Sequence, residues 1–416
     1  MSRFTVLPGL AAVVMAGLSS CISKTDLRGP LPHVTAVQSP EFRQASGALL
    51  TATYVPGNKI TTLNNGDQIF PSMLQAIRGA KRSVNFETYI FHKGGIPDAF
   101  VKALAERARA GVKVKTLLDG HGAAASFVYH KQLRDAGVDL EIYHPLAFTE
   151  LLSANHRTHR KLLIVDGKTG FIGGAGIADE WKGRGDSPDQ WHDLHYRVEG
   201  PVVAQLQAAF NNNWLKTHHE VLQGPDYFPP LAPAGKVPAG AMFNFTHDGA
   251  TPMELMCQLA IASAQKSLLI ETPYFVPDKR LSQALCDAAR RGVKVEIIMP
   301  GKWMDVKIVQ RASRHWWRPL VKAGVHLYEF KPTMIHSKLL VADGLFVSVG
   351  SMNLDPRSRR INDEANLIAL DAAFAREQTR IFQNDLKQSD PADLTAADGI
   401  VDTSLNMMQS PLEDEL

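Results

Sequence analysis

His159-Arg-Lys161-Leu-Leu-Ile-Val-Asp166 and His336-Ser-Lys338-Leu-Leu-Val-Ala-Asp343 are two copies of one pattern, His-x-Lys-x-x-x-x-Asp. In a β-strand, residues i and i+2 point to the same face, so the His and Lys of each copy project together. The four aliphatic residues that follow continue the strand into a core. Asp166-Gly167 and Asp343-Gly344 then read as tight turns into a following strand. Beyond the turns come Gly173-Gly174 and Gly350-Ser351, positions small enough for the backbone to approach a phosphate closely. One such pattern would be a weak signal; two at matched places in a duplicated frame are a strong one.

The frame is duplicated. Met73 to Phe91 and Leu259 to Phe275 each read as an amphipathic helix followed by a short β-type run ending in Glu-Thr, at Glu87-Thr88 and Glu271-Thr272. Leu104 to Lys115 matches Leu285 to Glu296, with Gly111 and Gly292 where a helix ends in a left-handed residue. Ala136-Gly-Val-Asp-Leu140 matches Ala323-Gly-Val-His-Leu327. Helices alternating with short Val/Ile/Leu-rich runs predict an α/β fold. A repeat of roughly 180 residues is too long for a solenoid and indicates a duplicated domain. The expectation is two similar lobes, each a mixed, mostly parallel sheet flanked by helices, packed around one shared active site. Residues 61–221 are assigned to the first lobe, 222–240 to a Pro- and Gly-rich linker, 241–390 to the second lobe and 391–416 to a tail. Residues 22–60 read as a tether and entry segment, with regular structure starting near Asp67.

Composition sets limits. With 45% hydrophobic and 21% charged residues the chain is globular rather than disordered or multi-spanning. A net charge of +3, from 45 basic and 42 acidic residues, lacks the basic bias of a dedicated nucleic-acid binder, and no nucleic-acid partner is expected. Residues 1–21 have the layout of a secretory signal: Arg3, an apolar run too short to be a typical spanning helix, then Leu18-Ser19-Ser20-Cys21. That ending resembles a bacterial lipoprotein lipobox, which implies lipidation at Cys21 and a tether to the cell envelope facing the periplasm. Ile22 after Cys21, by the sorting rules of such lipoproteins, implies the outer membrane. Cys257 and Cys286 lie in apolar, helix-like stretches and read as buried free thiols. No motif reports an oligomeric state.

Paired HxKxxxxD motifs, each followed by Gly-Gly or Gly-Ser, resemble the phospholipase D superfamily over about residues 60 to 390. Asn155 to Gly167, Asp179-Glu180, Trp191 to Pro201 and Gly350-Ser-Met-Asn-Leu-Asp-Pro-Arg-Ser358 are similar to bacterial cardiolipin synthases. The resemblance implies two-step displacement at phosphorus without metal or other cofactor. One His forms a phosphohistidine, and the other protonates the leaving alcohol and then activates the acceptor. The candidate catalytic set is His159, Lys161, Asp166, His336, Lys338 and Asp343, with Lys161 and Lys338 neutralising phosphate oxygens. Asp166 and Asp343 are read as holding the motif's turn rather than as direct participants. The resemblance points to His159 as nucleophile and His336 as acid, a choice the residues themselves leave open. Ser351 and Asn353 are candidate phosphate contacts. Asp193 and Glu364 match the family positions that orient each imidazole through its other nitrogen.

One position departs from the family pattern: Gly176 stands where the second half has Asn353. The implied function is transfer of a phosphatidyl group between phospholipids. Hydrolytic phospholipase D activity, a nuclease of the same superfamily and an inactive membrane scaffold are the alternatives. Two further stretches carry paired readings. Arg314-His-Trp-Trp-Arg318 is either a helix packing its tryptophans into the fold or a bilayer contact. Leu146 to Leu152 is either a buried helix or a guide for acyl chains.

Overall fold

The computed structural model describes residues 27, 29–33, 35–145, 156–244 and 251–394. The signal and lipobox at residues 1–21, the whole acyl-guide stretch Leu146 to Leu152 and the tail beyond residue 394 lie outside them. In the first half the elements are α1 (Pro40–Leu49), β1 (Val55–Asn64), α2 (Gly66–Gly79), β2 (Ser83–Thr88), α3 (Gly95–Arg109), β3 (Lys113–Asp119), α4 (Phe127–Asp135), β4 (Asp139–Tyr143), β5 (Lys161–Val165), β6 (Thr169–Gly173), β7 (Leu194–Glu199) and α5 (Val203–His218). The second half contributes β8 (Val237–Phe243), α6 (Pro252–Ser263), β9 (Ser267–Glu271), α7 (Lys279–Arg290), β10 (Lys294–Pro300), α8 (Lys307–Ser313), α9 (Trp317–Lys322), β11 (His326–Phe330), β12 (Leu339–Ala342), β13 (Phe346–Gly350), α10 (Pro356–Arg360), β14 (Ala365–Leu370), α11 (Ala372–Leu386) and β15 (Ser389–Pro391).

The strands form one sheet in the order β15-β11-β10-β9-β12-β13-β14-β8-β1-β7-β6-β5-β2-β3-β4. Read outward from the β1–β8 junction, β7-β6-β5-β2-β3-β4 is repeated as β14-β13-β12-β9-β10-β11. The duplication seen in the sequence is therefore a duplication of topology. The expected mostly parallel sheet is corrected. Parallel pairing is confined to β2-β3-β4 and β9-β10-β11, and the remaining pairs are antiparallel. Parallel neighbours need a crossover, which α3, α4, α7 and the α8–α9 segment supply, whereas β5–β6 and β12–β13 are hairpins and must run antiparallel.

Burial explains why the motif strands are aliphatic throughout. Leu162 and Ile164 face a central core shared by both halves, while Leu163 and Val165 face the outer core under α2 and α3. Leu339 and Val341 join the same central core, with Leu340 and Ala342 on the opposite face under α6 and α7. A strand buried on both faces shows an apolar run instead of alternation. Helices α5 and α11 complete the central layer.

Two assignments made from composition give way. Residues 22–60 contain α1 and most of β1, so regular structure begins well before Asp67. Ser39 caps α1, whose Phe42 packs edge-on against Phe346 of the second half. β1 pairs with both β7 and β8 and is the middle of the sheet; Pro56-Gly57 had masked it. The segment read as linker also contains the start of β8 at Val237, and its Tyr227 is buried against the first lobe. Trp317 is fully buried and Trp316 packs against the same core, which satisfies the packing reading of the Trp pair. Cys257 and Cys286 are buried and free.

Each motif ends in a two-residue turn with both residues left-handed: Asp166 and Gly167 at φ 52° and 62°, Asp343 and Gly344 at the same values. The Lys168 and Leu345 N–H groups donate back to Val165 O and Ala342 O and close each tight turn. The Asp343 carboxylate accepts backbone N–H bonds from Gln265, Lys266 and Ser267 at 2.9, 2.7 and 3.0 Å. Asp166 accepts from Lys81, Arg82 and Ser83 at 3.0, 2.7 and 3.0 Å. The motif aspartates therefore clamp the hairpin to the start of the neighbouring strand. Asp343→Ala should lower stability by about 2 kcal/mol, through lost charge-assisted bonds and an alanine held at positive φ. Asp343→Asn should retain much of the loss, and urea denaturation of both variants measures it. An unchanged midpoint for the alanine variant would remove the clamp reading.

Candidate active site

Each motif histidine is fixed by the other half of the molecule. The His159 N–H donates to Asp363 O at 2.9 Å and the Asp363 N–H to Arg157 O at 2.8 Å. In the second copy the His336 N–H donates to His192 O at 2.7 Å and the His192 N–H to Met334 O at 2.9 Å. These short parallel bridges bring the next residue of the opposite half onto the ring. Nδ1 of His159 lies 2.9 and 3.0 Å from the carboxylate oxygens of Glu364. Nδ1 of His336 lies 2.7 Å from Asp193 Oδ2. With Nδ1–H donating to a buried carboxylate, Nε2 of each ring presents its lone pair.

Both imidazoles line one cleft of about 580 Å³, together with Tyr89, Arg157, Lys161, Trp181, Trp191, Tyr274, Asn353 and Arg357. Burial pushes His159 down to about 4, with Lys161 and Lys338 adding to the fall and Glu364 opposing it. His336 falls to about 3, from burial and then Lys338, with Asp193 opposing. Each lysine acts on the histidine of the other half as well as its own, which marks a shared centre. Burial also lowers Lys161 to about 7 and Lys338 to about 8. The site thus holds several potential cations short of counter-charge, and an arriving phosphodiester supplies it. Binding such an anion favours the charged form of the lysines and of one imidazole.

The candidate residues divide into three groups. His159, His336, Lys161 and Asn353 reach the cleft, and Asp193 and Glu364 sit directly behind the rings. Lys338 stands behind His336, its Nζ 2.8 Å from Nδ1 and 3.2 Å from Nε2. Asp166 and Asp343 are absent from the cleft lining: each lies seven residues beyond its histidine along an extended strand, a distance of roughly 20 Å. Their place in a catalytic set is corrected to the hairpin clamp. Ser351 is also corrected as a phosphate contact: its hydroxyl donates to Glu364 and holds that carboxylate against His159.

The two halves brace their carboxylates differently. Gly174 occupies the place of Ser351, and a Cβ there would meet Asp193 Oδ1 at 2.3 Å. Asp193 instead accepts from the indole Nε1 of Trp181 at 2.8 Å and from the Leu194 N–H at 2.8 Å. The missing asparagine has the same explanation. A Cβ on Gly176 would lie 2.8 Å from Ile90 Cβ and 3.1 Å from the Trp181 ring. Trp181 fills that space and packs edge-on against His336. Trp181, Trp191, Tyr89 and the two arginines escaped the sequence reading. Trp181 directly follows the quoted Asp179-Glu180, and the gap at Gly176 was the signal that a neighbouring side chain fills it.

A second buried layer supports the first. Glu87 accepts from Thr158 and Asn213 at 2.5 and 2.8 Å, and Glu271 accepts from Ser337 at 2.5 Å. The residues preceding the two carboxylates are held by opposite pairs. Asp363 accepts from Lys216 on α5, whereas His192 contacts Asp385 on α11 at 3.0 Å.

Two outcomes follow from this geometry. Gly176→Asn, which restores the repeat's symmetry in sequence, should cost about 1–3 kcal/mol by overpacking against Ile90 and Trp181; a thermal-melt comparison tests it, and a stabilised variant would contradict the account. Burial alone would lower the His192 pKa, yet the charge and hydrogen bond of Asp385, with Glu271 and Asp193, lift it to about 9. The unfolded chain releases that proton near pH 6.5, so the native state binds more protons between there and about 9. Stability should fall as pH rises through that window, and Asp385→Asn should flatten that part of the profile. Denaturation midpoints from pH 6 to 10 report it, and parallel profiles for both proteins would count against the pair.

The family model described as "Cardiolipin synthase, PLD-like domain" matches residues 73–214 and 258–386, once per half. The chain is 33% identical over 371 residues to a protein of Bacillus subtilis named probable cardiolipin synthase YwiE, covering 86% of this chain and 72% of that one. It is 34% identical over 335 residues to cardiolipin synthase A of Pseudomonas fluorescens, covering 79% and 68%. Some relatives are longer still: the match spans 64% of cardiolipin synthase 2 of Bacillus anthracis. Among solved structures, phosphatidylserine synthase of Haemophilus influenzae Rd KW20 aligns with a TM-score of 0.64 at 16% identity, over 90% of this chain and 96% of that one, a likeness of fold. Two matched motif lobes and this level of identity over most of the chain place it in the cardiolipin synthase family of phospholipase D-like proteins.

Proposed function

We propose that the protein is a phosphatidyltransferase of the phospholipase D type that joins phospholipids through a phosphohistidine. The observation that carries the reading is the pair of imidazoles on one cleft, each pinned at Nδ1 by a carboxylate from the opposite half. In the first step His159 Nε2 attacks phosphorus, a P–N bond forms and the P–O bond to the headgroup alcohol breaks. The leaving oxygen takes its proton from His336. In the second step the acceptor hydroxyl gives its proton to His336, its oxygen attacks phosphorus, and the P–N bond breaks to free His159. Glu364 and Asp193 keep both rings in the tautomer this exchange needs, and Lys161 and Lys338 offset the charge that develops on the phosphoryl oxygens.

His336 starts with a strongly lowered pKa, so the anionic substrate must enter before the ring can hold the proton it delivers. The walls of Trp181, Trp191 and Tyr274 favour a lipid alcohol over water as acceptor, which supports transfer over hydrolysis. The lipobox-like Leu18-Ser19-Ser20-Cys21 adds a tether at Cys21, facing the periplasm and on the outer membrane, that would keep the cleft beside its substrate.

Incubation of the purified protein with phosphatidylglycerol vesicles tests the assignment. The expected products are a diphosphatidyl lipid and free glycerol in equal amounts. Phosphatidic acid as the sole lipid product would replace the transferase by a hydrolase. His159→Ala and His336→Ala should each lower turnover on the order of 10³-fold.

A further inference from the structure

We propose that the loops following β3 and β10 form a two-part rim that docks the cleft onto a lipid bilayer carrying anionic headgroups. The two strands are equivalent in the duplicated topology, and the loop after each borders the cleft: His121 lines it from one side, Asp305 and Val306 from the other. Eight large hydrophobic side chains are exposed among the described residues, and four belong to these loops or to the first turn of α4 that follows one of them: Phe127 and Val128 on α4, Trp303 and Val306 after β10. The other four are scattered over α1, α5 and its exit, and α9. Phe127 is 65% exposed and Trp303 36%, a costly use of aromatic surface in water.

Both aromatic tips carry the same accessory. Lys93 Nζ lies 5.4 Å from the Phe127 ring centroid, and Lys302 Nζ lies 4.6 Å from that of Trp303. Lys307 and Arg311 are exposed beside the second loop. Of the acidic neighbours, Asp305 accepts from the Tyr274 hydroxyl, Asp98 from that of Tyr129, Asp135 pairs with Lys131, and Glu180 on the cleft wall contacts His92 at 3.5 Å. An apolar aromatic body with a cation beside it is the pattern that settles at a headgroup–acyl boundary, with the ring below and the ammonium level with the phosphates. Placed on both sides of the cleft mouth, the two tips would seat the opening on the bilayer, so that a lipid reaches the imidazoles without crossing water. The occupant is a bilayer because each exposed ring has a cation against it and the two pairs stand beside separate segments that border one cleft, rather than forming one flat apolar face for a protein partner.

The inference rests on the lipid-transfer reading, and the test separates the two. Full-length protein and its Trp303→Phe variant are mixed with vesicles of phosphatidylglycerol and phosphatidylcholine whose acyl chains are brominated, and tryptophan quenching is compared. The expected result is a component of quenching in the parent that is lost in the variant, beyond any from Trp181 and Trp191 inside the cleft, whatever tether the N-terminus supplies and whether or not turnover occurs. Absence of that component overturns the rim. Turnover is then measured for Phe127→Ser/Trp303→Ser with vesicles and with dihexanoyl phosphatidylglycerol below its micelle concentration. Vesicle turnover should fall at least about tenfold, as loss of two inserted aromatics implies, with monomer turnover within about twofold of the parent. Unchanged vesicle turnover, or an equal loss on both substrates, overturns the proposal. So does sedimentation velocity showing that the double substitution breaks a dimer, which would make the rim a contact between copies of this chain. Failure of the parent to turn over either lipid would sink the transferase reading alone, because the quenching result stands by itself.

Discussion

Everything at the centre of this molecule depends on two hydrogen bonds that cross between its halves: Glu364 to His159 and Asp193 to His336. A carboxylate on one lobe fixes the imidazole of the other, so neither lobe builds a complete site alone. The bonds are buried, and a buried carboxylate is tolerated only with partners. Those partners extend outward in order. Ser351 holds Glu364, Trp181 holds Asp193, and each motif strand is stitched by backbone bonds to the segment that supplies the carboxylate. The fold serves this arrangement. Antiparallel pairing of β1 with β8 joins the half-sheets, while the central core, with α5 and α11, packs their inner faces together.

Duplication explains the chemistry and also its asymmetry. The proposed displacement at phosphorus would need two groups in different protonation states. The repeated topology supplies two equivalent positions, and their surroundings differ. Here the separation is visible in what surrounds each ring. On the His159 side Ser351 and Glu364 form a polar brace, with Arg157 and Arg357 on the cleft wall. On the His336 side an indole takes the role of the hydroxyl, and aromatic rings crowd the imidazole. Even the residues preceding the two carboxylates have exchanged polarity, an aspartate held by a lysine in one place and a histidine by an aspartate in the other. Gly176 belongs to this divergence: the asparagine has no room because Trp181 stands where its side chain would go.

Much of this was legible in the chain. Two His-x-Lys patterns at strand spacing, with aliphatic runs and Asp-Gly turns, announced their strands, their hairpins and a common site. The matched helices and Glu-Thr endings announced the duplication. The reading failed where local composition misled. Residues 22–60, rich in Ser, Thr, Pro and Gly, read as a tether, yet β1 within them is the middle of the sheet. A strand paired on both edges needs little propensity of its own, because its neighbours supply the hydrogen bonds. The sheet was read as mostly parallel because alternating helices and strands suggest crossovers throughout, whereas the motif strands are hairpins.

The sequence alone determined that two His-x-Lys patterns stand at strand spacing and come as a matched pair, since strand periodicity and repetition are local properties of the chain. Only the tertiary structure decided which carboxylate serves which imidazole, that Ser351 braces rather than binds, that Asp166 and Asp343 clamp turns far from the cleft, and that an indole replaces a missing asparagine. Those are contacts between residues up to 205 positions apart. They arise from how two half-sheets pack face to face, and no spacing along the chain encodes that packing.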